Sequence, residues 1–271
     1  MEALVVRKLG DPTLPPGGEE SPFAAVSGDR PIPELSSPTS VRVRVAATSL
    51  NFATFLQVQG KYQERPPLPF VPGSDYAGVV DAVGPGVRRL RPGDRVCSLA
   101  SVGSFAEFIV ADEKALYVVP DGCDLVAAGA LPVAFGTSYL ALAHRAQLKA
   151  GQVLLVLGAA MCWGICCTDR KSLCAIVIAG VEKLQYLKSI GADHVIDSSK
   201  ENVIESAKTG QFMVCTGKLL NSPPAVLIDS LNELLSWLSK GLITVKISHT
   251  YRLTEAHLAF ADLRDRKVTA K

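Results

Sequence analysis

LPFVPGSDYAGVVDAVGPGVRRLRPGDRV, residues 68–96, is the stretch whose reading decides the fold. Pro69, Pro72 and Gly73 form a turn, and YAGVVDAVG is a strand rich in small residues. GPGVRRLRPGD is a hairpin region with two Gly/Pro turns, and DRV starts the next strand. Gly73, Gly78, Gly84, Gly86 and Gly93 are spaced like positions where another backbone comes close or φ is positive. Taken alone, that spacing suits any β-barrel.

Working outward, EALVVRKL reads as a first strand, followed by a Pro-, Gly- and Ser-rich loop from Asp11 to Glu34. SVRVRVAATSLN alternates Val with Arg, the period of a half-buried strand. GSFAEFIVAD and LYVVP supply further strands, so Met1 to about Pro120 is expected to be an all-β unit. Ala127 to Arg145 has Ala and Leu at helical spacing and should carry the crossover to a second domain. GQVLLVLGAA, CAIVIAG and HVID are buried parallel strands, with EKLQYLKSIGA as a helix closed by Gly191. SSKENVIESAK opens with a capping box from Ser198 to Glu201. This β-α-β-α-β order is half of a doubly wound sheet.

After about Lys208 the pattern breaks, because TGQFMVCTGKLLNS fits neither helix nor strand. A helix opened by Pro223 and Pro224 follows, with Leu227, Leu231, Leu234, Leu235 and Leu238 as its apolar stripe and Gly241 at its end. LITVKI reads as a strand, and LTEAHLAFADLRDRK as a helix capped by Thr254 with Ala256, Phe260 and Leu263 on one face. A βαβ unit takes roughly 30 residues, so residues 151–271 cannot hold two complete halves of such a sheet. An internal deletion between about Lys208 and Pro223 is inferred. The expected fold class is α/β with an all-β N-terminal domain: a barrel over 1–125, then an incomplete doubly wound parallel sheet with C-terminal helices over 126–271.

The chain has 271 residues, 48% hydrophobic and 20% charged, the profile of a globular protein with a real core. A net charge of +2 gives no bulk electrostatic case for nucleic acid. No run of sequence approaches the length of a transmembrane helix, and MEALVVRKLGDP lacks a signal-peptide core. The seven cysteines have no scaffold-like spacing and read as reduced thiols in a cytosol-like compartment.

PFVPGSDYAGVVDAVGPGV and RPGDRV resemble the signature of the medium-chain dehydrogenase/reductase superfamily, in its zinc-free quinone oxidoreductase-like branch. The resemblance runs from about Met1 to Ala207 and resumes at about Pro224. It implies a GroES-like barrel followed by a Rossmann-type nucleotide-binding domain. It also implies hydride transfer from NADPH to a quinone or an α,β-unsaturated carbonyl. The expected partners are therefore that small molecule and, as one option, a second copy of the chain, with neither nucleic acid nor membrane involved. Where zinc-binding relatives carry a Cys and the His of Gly-His-Glu, this chain has Asn51 and Ser74, neither a good zinc ligand. Cys162, Cys166, Cys167 and Cys174 cluster without a His and read as small apolar packing.

Without a metal, hydride transfer needs orientation, apolar walls and a donor for the developing oxyanion. In NFATFLQVQGKY, Asn51 and Tyr62 match the family's pocket-lining Asn and Tyr. The Asn51 amide donates without losing a proton, and Tyr62 can donate or stack. A turn-stabilising Asn and an ordinary half-buried Tyr are the plain alternatives. Leu56 stands where quinone reductases commonly have another Tyr. Thr137, in GTSYLALAH, matches the Thr beside the nicotinamide end of the cofactor; otherwise it is a plain helix residue.

The cofactor loop reads GAAMCWG, keeping Gly158, Ala159, Ala160 and Gly164 of the family pattern. Met161 and Cys162 replace glycines that let the backbone approach the pyrophosphate, and Trp163 replaces a Val. NADPH binding is expected to be weakened. Lys183 matches a family Lys near the 2′-phosphate and favours NADPH, although the neighbouring Glu182 argues the other way. A catalytically impaired relative, acting only as a binding or dimerising module, is the alternative to an enzyme. From Asn51 and Ser74 the purified protein should carry no stoichiometric zinc. Elemental analysis finding an equimolar, chelation-resistant zinc would overturn that assignment.

Overall fold

The computed structural model describes residues 1–149, 152–157, 174–179, 184–189, 192–197, 200 and 224–268. The chain forms two compact units, one made of Met1–Val133 with Lys246–Thr269, the other of Ala134–Val245.

In the first unit, β1 (Ser40–Thr48), β2 (Asp75–Val83), β3 (Arg95–Leu99), β4 (Phe108–Asp112) and β5 (Tyr117–Val118) make an antiparallel sheet in the order β4-β1-β2-β3-β5. The Val/Arg alternation of β1 works as read: Val41 and Val43 are buried while Arg44 is exposed. Val41 and Val43 pack with Tyr76, Val80, Leu90, Val96, Ile109 and Leu116. Gly78 lies opposite Val45, next to a shift in the β1–β2 register. A Cβ at Gly78 would stand 2.1 Å from the Arg44 carbonyl oxygen, so only glycine permits this approach of the strands. EALVVRKL is held by isolated bridges, Ala3 to Ala106 and Val6 to Phe23 and Phe70, and does not form a ladder of its own.

The barrel unit is not all β. Phe52–Val58 is a helix, α1, that buries Thr54, Phe55, Gln57 and Val58 along one face. Its end is a Schellman turn, in which Lys61 N–H donates to Leu56 O at 2.8 Å and Gly60 N–H to Gln57 O at 3.0 Å. Gly60 supplies the required positive φ of 70°. The second helix, α2 (Leu125–Tyr139), carries Pro132 in its interior and continues as a π-helical turn over Leu140–Arg145. By length and composition alone Leu125–Arg145 could cross a bilayer, so one run of the chain does reach that length. Most of it is buried inside the protein, as expected of a core helix.

The second unit contains a parallel sheet in the order β6-β7-β8, formed by Val153–Leu157, Cys174–Ala179 and His194–Asp197, with α3 at Leu184–Ser189. Helix α4 (Pro224–Ser239) buries Leu231, Leu234 and Leu235 of the expected stripe, while Leu238 is half-buried. The Tyr139 hydroxyl donates to the Glu233 carboxylate, and its ring packs edge-on against Trp237. The capping box at Ser198, the loop from Gly158 to Gly164 and the inferred deletion lie outside the described residues. LITVKI has the burial of a strand, with Ile243 and Val245 inside and Leu242 and Thr244 outside. It nevertheless joins no ladder among the described residues, which is why it is not a strand.

The boundary expected at 125/126 falls elsewhere, because the C-terminal helix α5 (Ala256–Arg264) belongs to the first unit. Phe260 is fully buried there among Phe23, Phe55 and Phe105, at ring-centroid distances of 5.6, 6.1 and 6.4 Å. Ala256 and Leu263 share that face, as the spacing predicts. The helix is preceded by a 3-10 turn, and the Glu255 carboxylate rather than Thr254 accepts the Arg252 N–H, at 3.1 Å. Phe260→Ala should therefore cost the first unit about 3–5 kcal/mol. Chemical denaturation followed by circular dichroism measures this. An unchanged midpoint would mean that α5 is not part of that core.

Candidate functional site

β1 ends at Thr48, and the chain turns through Ser49 and Asn51 into α1. Asn51 occupies the helix N-cap in extended conformation, φ −111° and ψ 151°, yet its side chain makes no capping bond. An Asn there ordinarily accepts from the first turn of the helix. Instead its Nδ2 donates to Asp75 Oδ1 at 2.9 Å, with a longer 3.5 Å approach to Ser49 Oγ. The turn-stabilising alternative thus has no side-chain cap behind it.

Asp75, the first residue of β2, has no exposed surface. A buried carboxylate has to be met by donors. Ser49 Oγ donates to Oδ1 at 2.8 Å, and the Val133 N–H of α2 donates to Oδ2 at 3.3 Å. The Thr48 hydroxyl bonds the Asp75 backbone oxygen at 2.7 Å and pairs with Ser104 Oγ at 2.7 Å. Gly73, at φ +93°, makes room for this, since a Cβ there would lie 2.3 Å from Ser104 Oγ. Asn51 and Ser49 are buried as well, at 4% and 8% exposure.

Asp75 also acts on its surroundings. The buried Cys97 thiol is pushed up to about 12, first by loss of water and then by the negative charge of Asp75. Burial likewise pushes the Tyr76 hydroxyl well above its ordinary value. Thr54 Oγ1 and Gln57 Oε1, on the buried face of α1, have no hydrogen-bond partner.

Tyr62 follows the Schellman turn of α1 and is half-buried. Thr137 is half-buried on α2, in the stretch that belongs to the second unit. Gly158, Ala159, Ala160, Gly164 and Lys183 lie outside the described residues. The strands leading to them are parallel neighbours, with Leu157 paired to Ile178 at their carboxyl ends. The chain thus leaves β6 toward Gly158 and β7 toward Lys183 from one side of the sheet, the side where open parallel sheets bind ligands. Ser74 is half-buried, and its carbonyl accepts the Ala100 N–H at 2.5 Å. Among the described residues no three His, Cys, Asp or Glu side chains are grouped to hold a metal. The sequence reading missed Asp75. The signal was the third position of Gly73-Ser74-Asp75, read only for the His that Ser74 replaces.

Residues 37–121 match the alcohol dehydrogenase GroES-like domain. The chain is similar to quinone oxidoreductase-like proteins of the medium-chain dehydrogenase/reductase superfamily. It is 37% identical over 181 residues to quinone oxidoreductase-like protein 2 of Rattus norvegicus, covering 65% of this chain and 52% of that protein. It is 38% identical over 175 residues to the Nematostella vectensis homolog, covering 63% and 48%. The chain therefore spans about half the length of these relatives. Escherichia coli quinone oxidoreductase, solved in complex with NADPH, shares the fold at TM-score 0.87 and 20% identity, over 100% of this chain and 98% of that one.

Because the neutral thiol is favoured in the folded state, Cys97 should resist alkylation at pH 8 and react only on unfolding. Its contribution to stability is present below its ordinary value of 9.0 and lost as pH rises from there toward about 12. Mass spectrometry after iodoacetamide treatment checks the first point. Rapid labelling of Cys97 in folded protein would contradict its placement in the core.

Proposed function

We propose that this chain is an NADPH-dependent, zinc-independent oxidoreductase that delivers hydride to a quinone or an α,β-unsaturated carbonyl. The observation that carries the reading is Asn51. It stands at the head of α1, gives that helix no side-chain cap and is held by a buried carboxylate, within an alcohol dehydrogenase GroES-like domain. Support for the cofactor is topological, from the adjacent carboxyl ends of β6 and β7. The chemistry of the loop residues pulls against it: Met161, Cys162 and Trp163 bring side chains where a pyrophosphate needs bare backbone. On this reading Gly158, Ala159, Ala160 and Gly164 would still hold the phosphates, Lys183 the 2′-phosphate and Thr137 the nicotinamide end, with reduced affinity.

When bound, NADPH supplies the hydride. An acceptor carbon would gain that hydride, with the displaced electron pair going to the conjugated oxygen and a proton coming from water. The part of this chain's residues is to orient and to stabilise. Asn51 would offer its second amide hydrogen, the one not taken by Asp75, to the oxygen on which charge develops, and Tyr62 would donate to the acceptor or stack on it. Phe52, exposed and stacked on Phe55 at 5.9 Å, is an apolar surface next to Asn51 in the chain. The reading gives acceptor binding to the first unit and nucleotide binding to the second, and a homodimer is its expected assembly.

The test is NADPH oxidation that depends on tetramethyl-1,4-benzoquinone, a quinone with no free position for thiol addition. The wild-type chain should be compared with the combined variant Met161→Gly, Cys162→Gly, Trp163→Val. The variant should bind NADPH at least roughly tenfold more tightly, since relief of about 1.4 kcal/mol suffices. Two folded proteins that both fail to oxidise NADPH above the protein-free rate would sink the reading.

A further inference from the structure

We infer that Asp75 is a positioning residue for the reaction, acting through Asn51. The inference rests on the function proposed above.

Stability alone does not account for a carboxylate at this place. A carboxylate taken out of water is costly, and well-packed apolar residues serve a core as well or better. What the carboxylate adds is one-sidedness. A side-chain amide presents a donor at one end and an acceptor at the other, and a neutral neighbour able to do both would let it sit either way round. Asp75 accepts from Ser49 Oγ, Asn51 Nδ2 and the Val133 N–H. It therefore holds Asn51 with Nδ2 toward itself and disfavours the flipped amide.

The usual determinant of an N-cap side chain, the first turn of its own helix, does not hold Asn51. Two features make the anchor rigid. Gly129 brings α2 so close to the sheet that a Cβ would lie 2.8 Å from the Ala47 oxygen and 3.1 Å from the Ala77 nitrogen. Pro132 lies inside α2 immediately before Val133, whose N–H donates to Asp75 Oδ2 at 3.3 Å. The carboxylate is thus fixed from β1, β2 and α2 at once, and Asn51 takes its orientation from all three.

The experiment is a double-mutant cycle on the full chain with Asn51→Ala, Asp75→Ala and both together. It is read as quinone-dependent NADPH oxidation at saturating NADPH, in the loop-variant background if only that turns over. Each single change should lower kcat by roughly tenfold to a hundredfold, and the double variant should be no slower than Asn51→Ala. NADPH affinity should stay within about twofold, because the lost interaction is not with the cofactor. Losses that multiply in the double variant would overturn the role of Asp75 while leaving the enzyme reading intact. No turnover in any background would remove that reading, and this inference with it. Should Asp75→Ala fail to fold by circular dichroism, Asp75→Asn keeps the shape and drops the one-sidedness. That variant should still lose at least about threefold in kcat, and a folded Asp75→Asn with full activity overturns the inference.

Discussion

A carboxylate enclosed in a barrel core demands donors from several directions, and the arrangement around Asp75 follows from that demand. Its two oxygens are reached from the exit of β1, the start of α1 and α2. None of those donors arrives unless the backbones come unusually close. Gly78 lets β2 lie against Arg44 of β1, and Gly129 lets α2 lie against Ala47 and Ala77. The glycines and the carboxylate are parts of one constraint: a bulkier residue at 129 lifts α2 away and leaves Oδ2 short of the Val133 N–H.

The same logic explains why the C-terminal helix is in the first unit. The buried face of α1 carries Phe55 and Val58, which need an apolar cover. Phe260 and Ala256 provide it, together with Phe23, Phe70 and Phe105. A helix more than two hundred positions along the chain thereby stiffens the short helix whose first turn follows Asn51. Burying a Phe side chain stabilises by about 1.5–3 kcal/mol, enough to outweigh any weak local helix propensity in a seven-residue segment.

Much of this was legible in the sequence. The Val/Arg period of SVRVRV, the glycine spacing of 73–93 and the three apolar parallel strands each became the element they predict. Three features were not legible, for physical reasons. α1 is too short for a clear helical period and is made by tertiary packing and its Schellman turn. LITVKI has a strand's alternation, but a strand also needs a neighbour to pair with, which a local pattern cannot report. The partner of the C-terminal helix was hidden because Ala256, Phe260 and Leu263 show that a face is buried without showing against what. At the site, Asn51 could be found from its motif, whereas Asp75 could not, since its importance lies in contacts to residues 24 to 58 positions away.

On the proposed function, the cofactor loop and the Asn51–Asp75 pair would act on two different quantities. Side chains in the nucleotide loop act on how tightly the hydride donor is held, which appears in KM or Kd. The Asn51–Asp75 pair would, on that reading, act on the oxygen that becomes charged during transfer, which would appear in kcat. A loop penalty of a few kcal/mol costs two or more decades of affinity but leaves the barrier from the bound state largely alone. Asn51, Asp75 and the donors that meet Asp75 lie within the first unit. On the proposed function, a poor cofactor loop would raise the cofactor concentration the chain needs before it abolished turnover.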